Sequence, residues 1–487
     1  MQSGIPDQQQ SREVALRTAV GCVLSLALAL LAQKVLIAIL NPSFGGDAGI
    51  RMNAAPLAYF RVGNRVWLPY LQLHIWLFYH LRLPYRLYNL IPCFYFFVAV
   101  VSLGMLGLRL LGRTWPGILF TLTVMFCFAE NRLVSGLATT LYQEILGVAF
   151  FYLLLYLGAL DLRKARVLVL LGALALLTRD TFQFYLLSLT LLNWKTILAD
   201  RAYRRSFLFL WAIPVMWQLS IPLGYLLFDR RLPRSLTEWP LTINKDQEGA
   251  VSHLSISLAS LWTGMLESGA IVLLACVVLA WVVIRWNARP AGPALGHEAQ
   301  EFTRRFGPFS LLSLGMIYSA IALFNPTKAT FGNGRMAFPL IEHLFIWVLL
   351  ALAATFSCRG ISRYAARVLV MAGLLASLSP LARRWVPQYN SEANTVYPDL
   401  QRLLRETSPN AMPVVCFGPE NTFETFSRFV APTLYAQRRY LQGGTEIPKD
   451  CSLWISRPAA VPHETGDFEK VREYPVRGDL YYVYRRR

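Results

Sequence analysis

The chain has 487 residues, of which 55% are hydrophobic and 15% charged, and its formal net charge is +19. Soluble domains carry a larger charged fraction, so the composition excludes an ordinary soluble protein. The positive charge does not indicate nucleic-acid binding, because no nucleic-acid-binding motif accompanies it and arginines collect on the cytoplasmic loops of membrane proteins.

Long apolar runs predict an all-α polytopic membrane protein. Ala19 to Leu40 and Phe207 to Phe228 reach the roughly 20 residues that cross a hydrocarbon core as a helix. The first run is longer than the apolar part of a signal peptide, so we expect it to remain as the first span. Basic clusters near 109–113, 163–166, 195–205, 285–305 and 359–367 are assigned to the cytoplasmic side, together with the N-terminus.

These assignments predict about eleven transmembrane helices, an odd number that puts the C-terminus outside. The predicted spans are 18–40, 88–108, 114–129, 136–158, 167–178, 181–193, 206–228, 268–285, 308–324, 337–356 and 367–382. Residues 1–382 thus form a transmembrane domain with a long first extracytoplasmic loop, 41–88. Arginines alternate with aromatic residues in this loop, which indicates amphipathic helices on the membrane surface.

Residues 383–487 are predicted to form a small extracytoplasmic α/β domain. Stretches rich in β-formers at 413–417, 453–455 and 480–484 predict strands, and 398–406 predicts a helix. Cys416 and Cys451 both belong to this domain. A disulfide between them is compatible with an oxidising compartment, but their spacing alone does not establish one.

The first loop opens with an acidic turn, Gly45-Gly46-Asp47, followed by Arg51. The glycines allow a tight turn that holds the carboxylate at the membrane face, where it can accept a proton or bind a cation. The alternative is a structural role for Asp47 in an Asx turn or as a helix N-cap.

Charged residues next to other spans are further candidates. Glu130 lies at the outer end of the third predicted span, where it can cap the helix together with Arg132. The spans 167–178 and 181–193 are too short to cross a bilayer, so their turn, with Arg179 and Asp180, is predicted to lie at depth in a protein-lined vestibule. The alternative is that Arg179 and Asp180 pair with each other.

The loop before span 337–356 contains Lys328 and Arg335. Arg335 follows Gly334, and its guanidinium can bind a phosphate through two hydrogen bonds. The alternative is an interfacial arginine that reaches for lipid headgroups.

The Asp47-x-x-x-Arg51 spacing, the downstream Trp67-Leu68-Pro69, the many spans and the outer C-terminal domain together resemble the GT-C glycosyltransferases, which use polyprenyl-phosphate sugars. The resemblance implies that Asp47 is the catalytic base. It also implies substrate-binding roles for Arg51, Glu130, Arg179, Asp180, Lys328 and Arg335. It leaves a divalent cation open, since some members use one and others do not; the residues themselves indicate no cofactor.

The function expected on this basis is inverting transfer of a sugar from a polyprenyl-phosphate carrier to a glycan, lipid or protein acceptor, outside a bacterial inner membrane. Two alternatives stay open. One is a flippase or transporter of a lipid-linked saccharide. The other is a polysaccharide polymerase or ligase, because the loop 229–268 contains Arg230, Arg231, Arg234 and His253.

Overall fold

The structure is a computed structural model of the chain. It describes residues 5–40, 42, 44, 47–58, 61–62, 65–66, 68–161, 165–228, 261–266, 268–287, 297–324, 337–356, 361–378, 394–408, 412–418, 429, 431–440, 448–457, 467–476 and 479–487. For Asp47 the backbone alone is described. The predictions for Lys328, Arg335 and the four basic residues of the loop 229–268 lie outside these residues.

Helices form most of the described chain. They are α1 Ile5–Leu40, α2 Asp47–Asn53, α3 Pro69–His80, α4 Leu90–Leu111, α5 Trp115–Glu130, α6 Arg132–Ala138, α7 Gln143–Tyr156, α8 Ala165–Leu176, α9 Phe182–Ala199, α10 Arg201–Phe228, α11 Ala270–Asn287, α12 His297–Phe324, α13 Phe338–Thr355, α14 Ile361–Ser377 and α15 Val396–Thr407. Short 3-10 helices cover Tyr85–Asn89 and Ala159–Asp161. Each predicted span overlaps at least one of these helices.

Several helices have the length and composition of membrane spans. In the part of the chain that the structure describes, three meet both conditions: Glu13–Leu40, Tyr85–Leu111 and Phe338–Thr355. A fourth is added if α5 and α6, which meet at an angle of 67°, count as one broken span. The prediction of a helical membrane protein thus agrees with the fold, while the number of eleven crossings stays a prediction.

The predicted span 136–158 was wrong at its start, because the chain forms two helices there. Asn131 ends α5 and caps α6, its Oδ1 accepting hydrogen bonds from the amides of Leu133 (3.2 Å) and Val134 (3.5 Å). Asn is a favoured N-cap residue, so a new helix starts at this point. The apolar helix that was predicted begins only at Gln143.

Helix α13 lies at the centre of the bundle, with 89% of its residues buried. It packs against α4, α5, α11, α12 and α14, while α4 also contacts α1, α5 and α7. A helix that is apolar all round is expected to be surrounded by other helices. The first loop lies at one end of this bundle and consists of α2, a small hairpin of β1 Arg61–Val62 and β2 Arg65–Val66, α3 and the Tyr85–Asn89 turn.

The C-terminal domain combines α15 with a five-stranded mixed sheet. The strands are β3 Val414–Phe417, β4 Gln437–Tyr440, β5 Leu453–Ser456, β6 Phe468–Val476 and β7 Asp479–Arg486, in the order β4-β3-β5-β7-β6. Strand β3 is parallel to both neighbours, and β7 is antiparallel to both of its own. Cys416 of β3 and Cys451, just before β5, form a disulfide with a Cα–Cα distance of 5.9 Å. The predicted strands correspond to β3, β5 and β7, and the predicted helix to α15.

Candidate active site

Helix α2, which begins with Asp47, is attached to helix α7 of the bundle through Arg51. Arg51 lies one turn after Asp47 and is 1% exposed, and its Nη2 donates to Oε1 of Gln143 at 2.6 Å. Gln72 of α3 donates to the carbonyls of Arg51 (3.3 Å) and Ala54 (2.8 Å) at the end of α2. Helix α2 is therefore fixed between α3 and the start of α7. Arg51, a predicted substrate-binding residue, has a structural partner here.

The C-terminal domain contacts the other end of the same helix. Arg438 of the edge strand β4 donates through Nη2 to the carbonyl of Asn53, the last residue of α2, at 3.2 Å. A cation at this position also interacts favourably with the negative end of the helix dipole. The C-terminal sheet thus contributes directly to the placement of α2.

An aromatic cluster strengthens this docking of the C-terminal domain on the first loop. The Tyr435 hydroxyl donates to the carbonyl of Leu83 at 2.6 Å and lies 3.3 Å from the hydroxyl of Tyr88. Its ring stacks on Tyr79 with 5.3 Å between centroids. Stacked and hydrogen-bonded tyrosines give a well-defined contact, so the two parts are oriented relative to each other.

The turn that contains Arg179 and Asp180 joins α8 and α9, as the two apolar runs predicted, although α9 continues to Ala199 instead of ending at 193. The amide of Tyr70 donates to the carbonyl of Leu177 at 3.1 Å, so this turn contacts the first loop. Arg179 is buried, with 5% of its surface exposed, and Asp180 is half-buried. The turn therefore lies at the same end of the bundle as α2.

The partner of Arg179 is Glu342 of α13, which the sequence analysis did not single out. Arg179 Nη1 lies 3.3 Å from Oε2 of Glu342, and its guanidinium carbon lies 5.5 Å from the centroid of the Phe338 ring. Glu342 is 1% exposed. A single acid within an otherwise apolar span was the available signal, because a carboxylate at that depth needs a partner.

Further hydrogen bonds hold Glu342 in place. The hydroxyl of Tyr185 donates to Oε1 of Glu342 and lies 3.3 Å from Nε2 of His343. The other ring nitrogen of His343 lies 2.8 Å from the hydroxyl of Ser310, to which the indole of Trp347 donates at 3.1 Å. This buried network joins α9, α12 and α13 behind Arg179.

Helix α7 brings Arg179 and α2 together. A Cβ placed on Gly147 would lie 2.9 Å from Cδ of Arg179, so only a glycine permits this close approach. Glu144, one turn earlier on α7, and Asp180 both interact electrostatically with Arg179. Gln143, the next residue back, binds Arg51. The candidate site is therefore the region where α2, the first turn of α7 and the turn 177–181 meet.

Glu130 is engaged elsewhere. Its Oε1 accepts a hydrogen bond at 2.9 Å from Nζ of Lys34 in α1, a residue that is fully buried. Lys34 also donates to the Ser135 hydroxyl at 2.9 Å and lies 5.9 Å from the centroid of the Phe96 ring. This pairing, which was not predicted, ties α1 to α5 and α6. It gives Glu130 a structural role in addition to the predicted ligand contact.

A metal site is not apparent in the described part of the chain. Among those residues no group of three or more His, Cys, Asp or Glu side chains is arranged to hold an ion. The carboxylates of Glu130 and Glu342 are instead each paired with a cation.

Comparison with known proteins was made for sequence and for fold. No protein-family model matches the sequence, and no curated protein matches it significantly. Crystal structures of ArnT from Cupriavidus metallidurans have a similar fold. The apo structure has a TM-score of 0.51 and the structure bound to undecaprenyl phosphate one of 0.53, each at 12% sequence identity and covering 94% of this chain and 97% of that chain.

This likeness extends over nearly the whole of both chains, and at this sequence identity it concerns the fold. ArnT is a GT-C glycosyltransferase. The resemblance noted in the sequence therefore agrees with the fold, which is similar to that of ArnT.

Proposed function

We propose that the protein is an integral membrane glycosyltransferase that transfers a sugar from a polyprenyl-phosphate carrier to an acceptor on the extracytoplasmic side. The observation that carries the proposal is the match of fold along the whole chain to ArnT, one structure of which holds undecaprenyl phosphate. The chemistry then has to come from the residues that this chain brings to the corresponding end of its bundle.

Asp47 is the proposed base. Its carboxylate removes the proton of the acceptor hydroxyl while the hydroxyl oxygen attacks the anomeric carbon of the sugar. The bond from that carbon to the phosphate oxygen breaks, and the polyprenyl phosphate leaves with the electron pair. One direct displacement inverts the anomeric centre. Fixing α2 between α7 and the C-terminal domain supports this role, because a base acts efficiently only when it is held in position.

Arg179 is proposed to bind either the phosphate of the polyprenyl carrier or the acceptor molecule. One of its nitrogens binds Glu342, and the turn that carries it contacts the first loop, which contains α2. A cation oriented in advance stabilises developing negative charge without reorganisation during the reaction. Asp180 is proposed to orient the acceptor, and Arg335 with Lys328 to bind the carrier phosphate. The mechanism assigns no step to a metal ion.

The proposal is tested with membranes that contain the protein and radiolabelled polyprenyl-phosphate sugars. We expect label to move from the lipid phosphate into a chemically different product, and polyprenyl phosphate to accumulate. A transporter would instead move intact lipid-linked sugar between leaflets. A polymerase or ligase would lose activity when Arg230, Arg231, Arg234 or His253 is replaced, whereas the proposed transferase depends on Asp47 and Arg179.

A further inference from the structure

An apolar cleft runs between the helices from Tyr185, in the buried network behind Arg179, to Leu160. It has an empty volume of about 470 Å³ and lies between α7, α8, α9, α10 and α12. Its walls are apolar apart from the hydroxyl of Tyr185, which donates to Glu342. Residues that line it include Phe151, Leu168, Leu176, Phe182, Leu186 and Leu210.

A second cleft of about 510 Å³ continues the first one and is polar at its end. Leu160, Leu189 and Phe309 line both, so the two spaces adjoin. Arg304 and Arg305 of α12 line the second cleft at the membrane face that the positive-inside rule predicts to be cytoplasmic.

The two arginines of this second cleft differ in their partners. Arg305 forms ion pairs with Asp161 and Glu301, so its charge is locally neutralised. Arg304 is exposed, and within the described chain it has no ion pair or hydrogen bond from its side chain. Leu192 also lines this cleft and is 43% exposed, which puts the opening on the surface of the bundle that faces lipid.

An apolar channel that ends at an unpaired guanidinium matches one kind of molecule. Apolar spaces in proteins stay dry, and an unfilled one loses dispersion contacts along its walls. In a bilayer the available filler is an alkyl chain, and basic pockets between helices on the cytoplasmic side bind anionic headgroups. We propose that this pair of clefts is a binding site for an anionic glycerophospholipid of that leaflet, with one acyl chain along the apolar cleft and the phosphate at Arg304.

The experiment measures thermal unfolding of the full-length protein in detergent while phosphatidylglycerol or phosphatidylcholine is added. We expect phosphatidylglycerol to stabilise the protein at concentrations roughly fivefold lower than phosphatidylcholine, the factor that one arginine contributes to binding an anionic lipid surface. Arg304→Gln removes this difference. Arg285→Gln is the matched control, because Arg285 is an exposed arginine at the end of α11 that does not line either cleft, and it leaves the difference intact.

Leu189→Trp provides a second variant, since the indole fills the junction of the two clefts. It is expected to weaken the response to phosphatidylglycerol. Equal responses of the native protein to the two lipids would overturn the proposal, as would a preference that survives in Arg304→Gln. The proposal would also be overturned if inorganic phosphate alone stabilised the protein as much as phosphatidylglycerol does. It would likewise be overturned if the protein responded to undecaprenyl phosphate through Arg304 but did not respond to phosphatidylglycerol.

Discussion

Glu342→Gln isolates the contribution of one buried charge. The amide keeps the size of the side chain and an oxygen that accepts from Tyr185, but buried Arg179 loses the carboxylate with which it forms its ion pair. Removing one partner of a buried ion pair costs about 3–5 kcal/mol. The entropy of unfolding grows with chain length, so in a chain of this size each kcal/mol lowers the melting temperature by about 1 °C.

We therefore expect Glu342→Gln to lower the apparent melting temperature by about 3–5 °C, measured on detergent-purified protein by loss of the monodisperse peak after heating. Glu301→Gln is the control, since Glu301 makes an i,i+4 pair with Arg305 and its side chain is 39% exposed. Exposed pairs contribute below about 1 kcal/mol, so this variant stays within about 1 °C of the native protein.

A double variant tests whether the two groups act on each other. Arg179→Met together with Glu342→Gln removes both charges, so the loss should be smaller than the sum of the two single losses. If the stability losses of the two single variants simply add in the double variant, the ion pair between Arg179 and Glu342 is not the cause of those losses. If Glu342→Gln melts at the same temperature as the control variant Glu301→Gln, burial of the charge does not make its loss more costly, and the prediction is wrong.

Three further outcomes are expected. Lys34→Met should destabilise the protein by about 1–3 kcal/mol in the same heating assay, because the carboxylate of Glu130 loses its donor, and adding Glu130→Gln should recover part of that loss. Burial raises the pKa of Asp399, but hydrogen bonds from a tyrosine and two arginines lower it by more, so the pKa in the folded protein lies below its ordinary value of 3.8. The stabilisation is complete above pH 3.8 and is lost as the pH falls through the folded pKa. Asp399→Asn should therefore flatten the acid side of a plot of melting temperature against pH. Arg438→Gln should reduce kcat for sugar transfer roughly threefold to tenfold through the loss of one charge-assisted hydrogen bond to the end of α2, while Arg439→Gln, which loses only an exposed pair, should leave kcat unchanged.

The positions of the main helices could be predicted from the sequence because apolar runs are a strong, local signal. The same signal found the hairpin around Arg179, although its second arm, α9, continues to Ala199 instead of ending at 193. It was wrong for residues 136–142, where the short helix α6 ends at Ala138 and α7 begins only at Gln143. The polar residues Glu130, Asn131 and Arg132 marked the first break, where Asn131 caps α6. The second break, at 139–142, contains no charged residue, so hydropathy did not detect it.

The candidate site was predicted less completely, because its residues come from distant parts of the chain. Arg51 and Gln143 are 92 positions apart, and Arg179 and Glu342 are 163 apart. Spacing within a motif carries no information about such pairs. Lys34 and Glu342 are single charges inside apolar runs that the sequence analysis did not single out, although the cost of burying them was a usable signal that each needs a partner.

Strands β4 and β6 of the C-terminal domain were also not predicted. Strand β4 has the sequence Gln437-Arg438-Arg439-Tyr440, which is mostly charged and polar. It forms because it pairs with the buried strand β3 and because Arg438 binds the end of α2. Tertiary contacts of this kind override local propensity, particularly at the edge of a sheet.

The measurement that tests the central claim most directly is transfer of radiolabelled sugar from polyprenyl phosphate by the native protein, Asp47→Asn and Asp200→Asn at matched amounts of folded protein. Asp200 is an exposed acid that caps α10, where asparagine caps equally well, so this variant controls for removal of a carboxylate. The account predicts that transfer falls by at least about a hundredfold in Asp47→Asn, the low end of what a general base contributes, and stays at the native rate in Asp200→Asn. Transfer at the native rate in Asp47→Asn would contradict it.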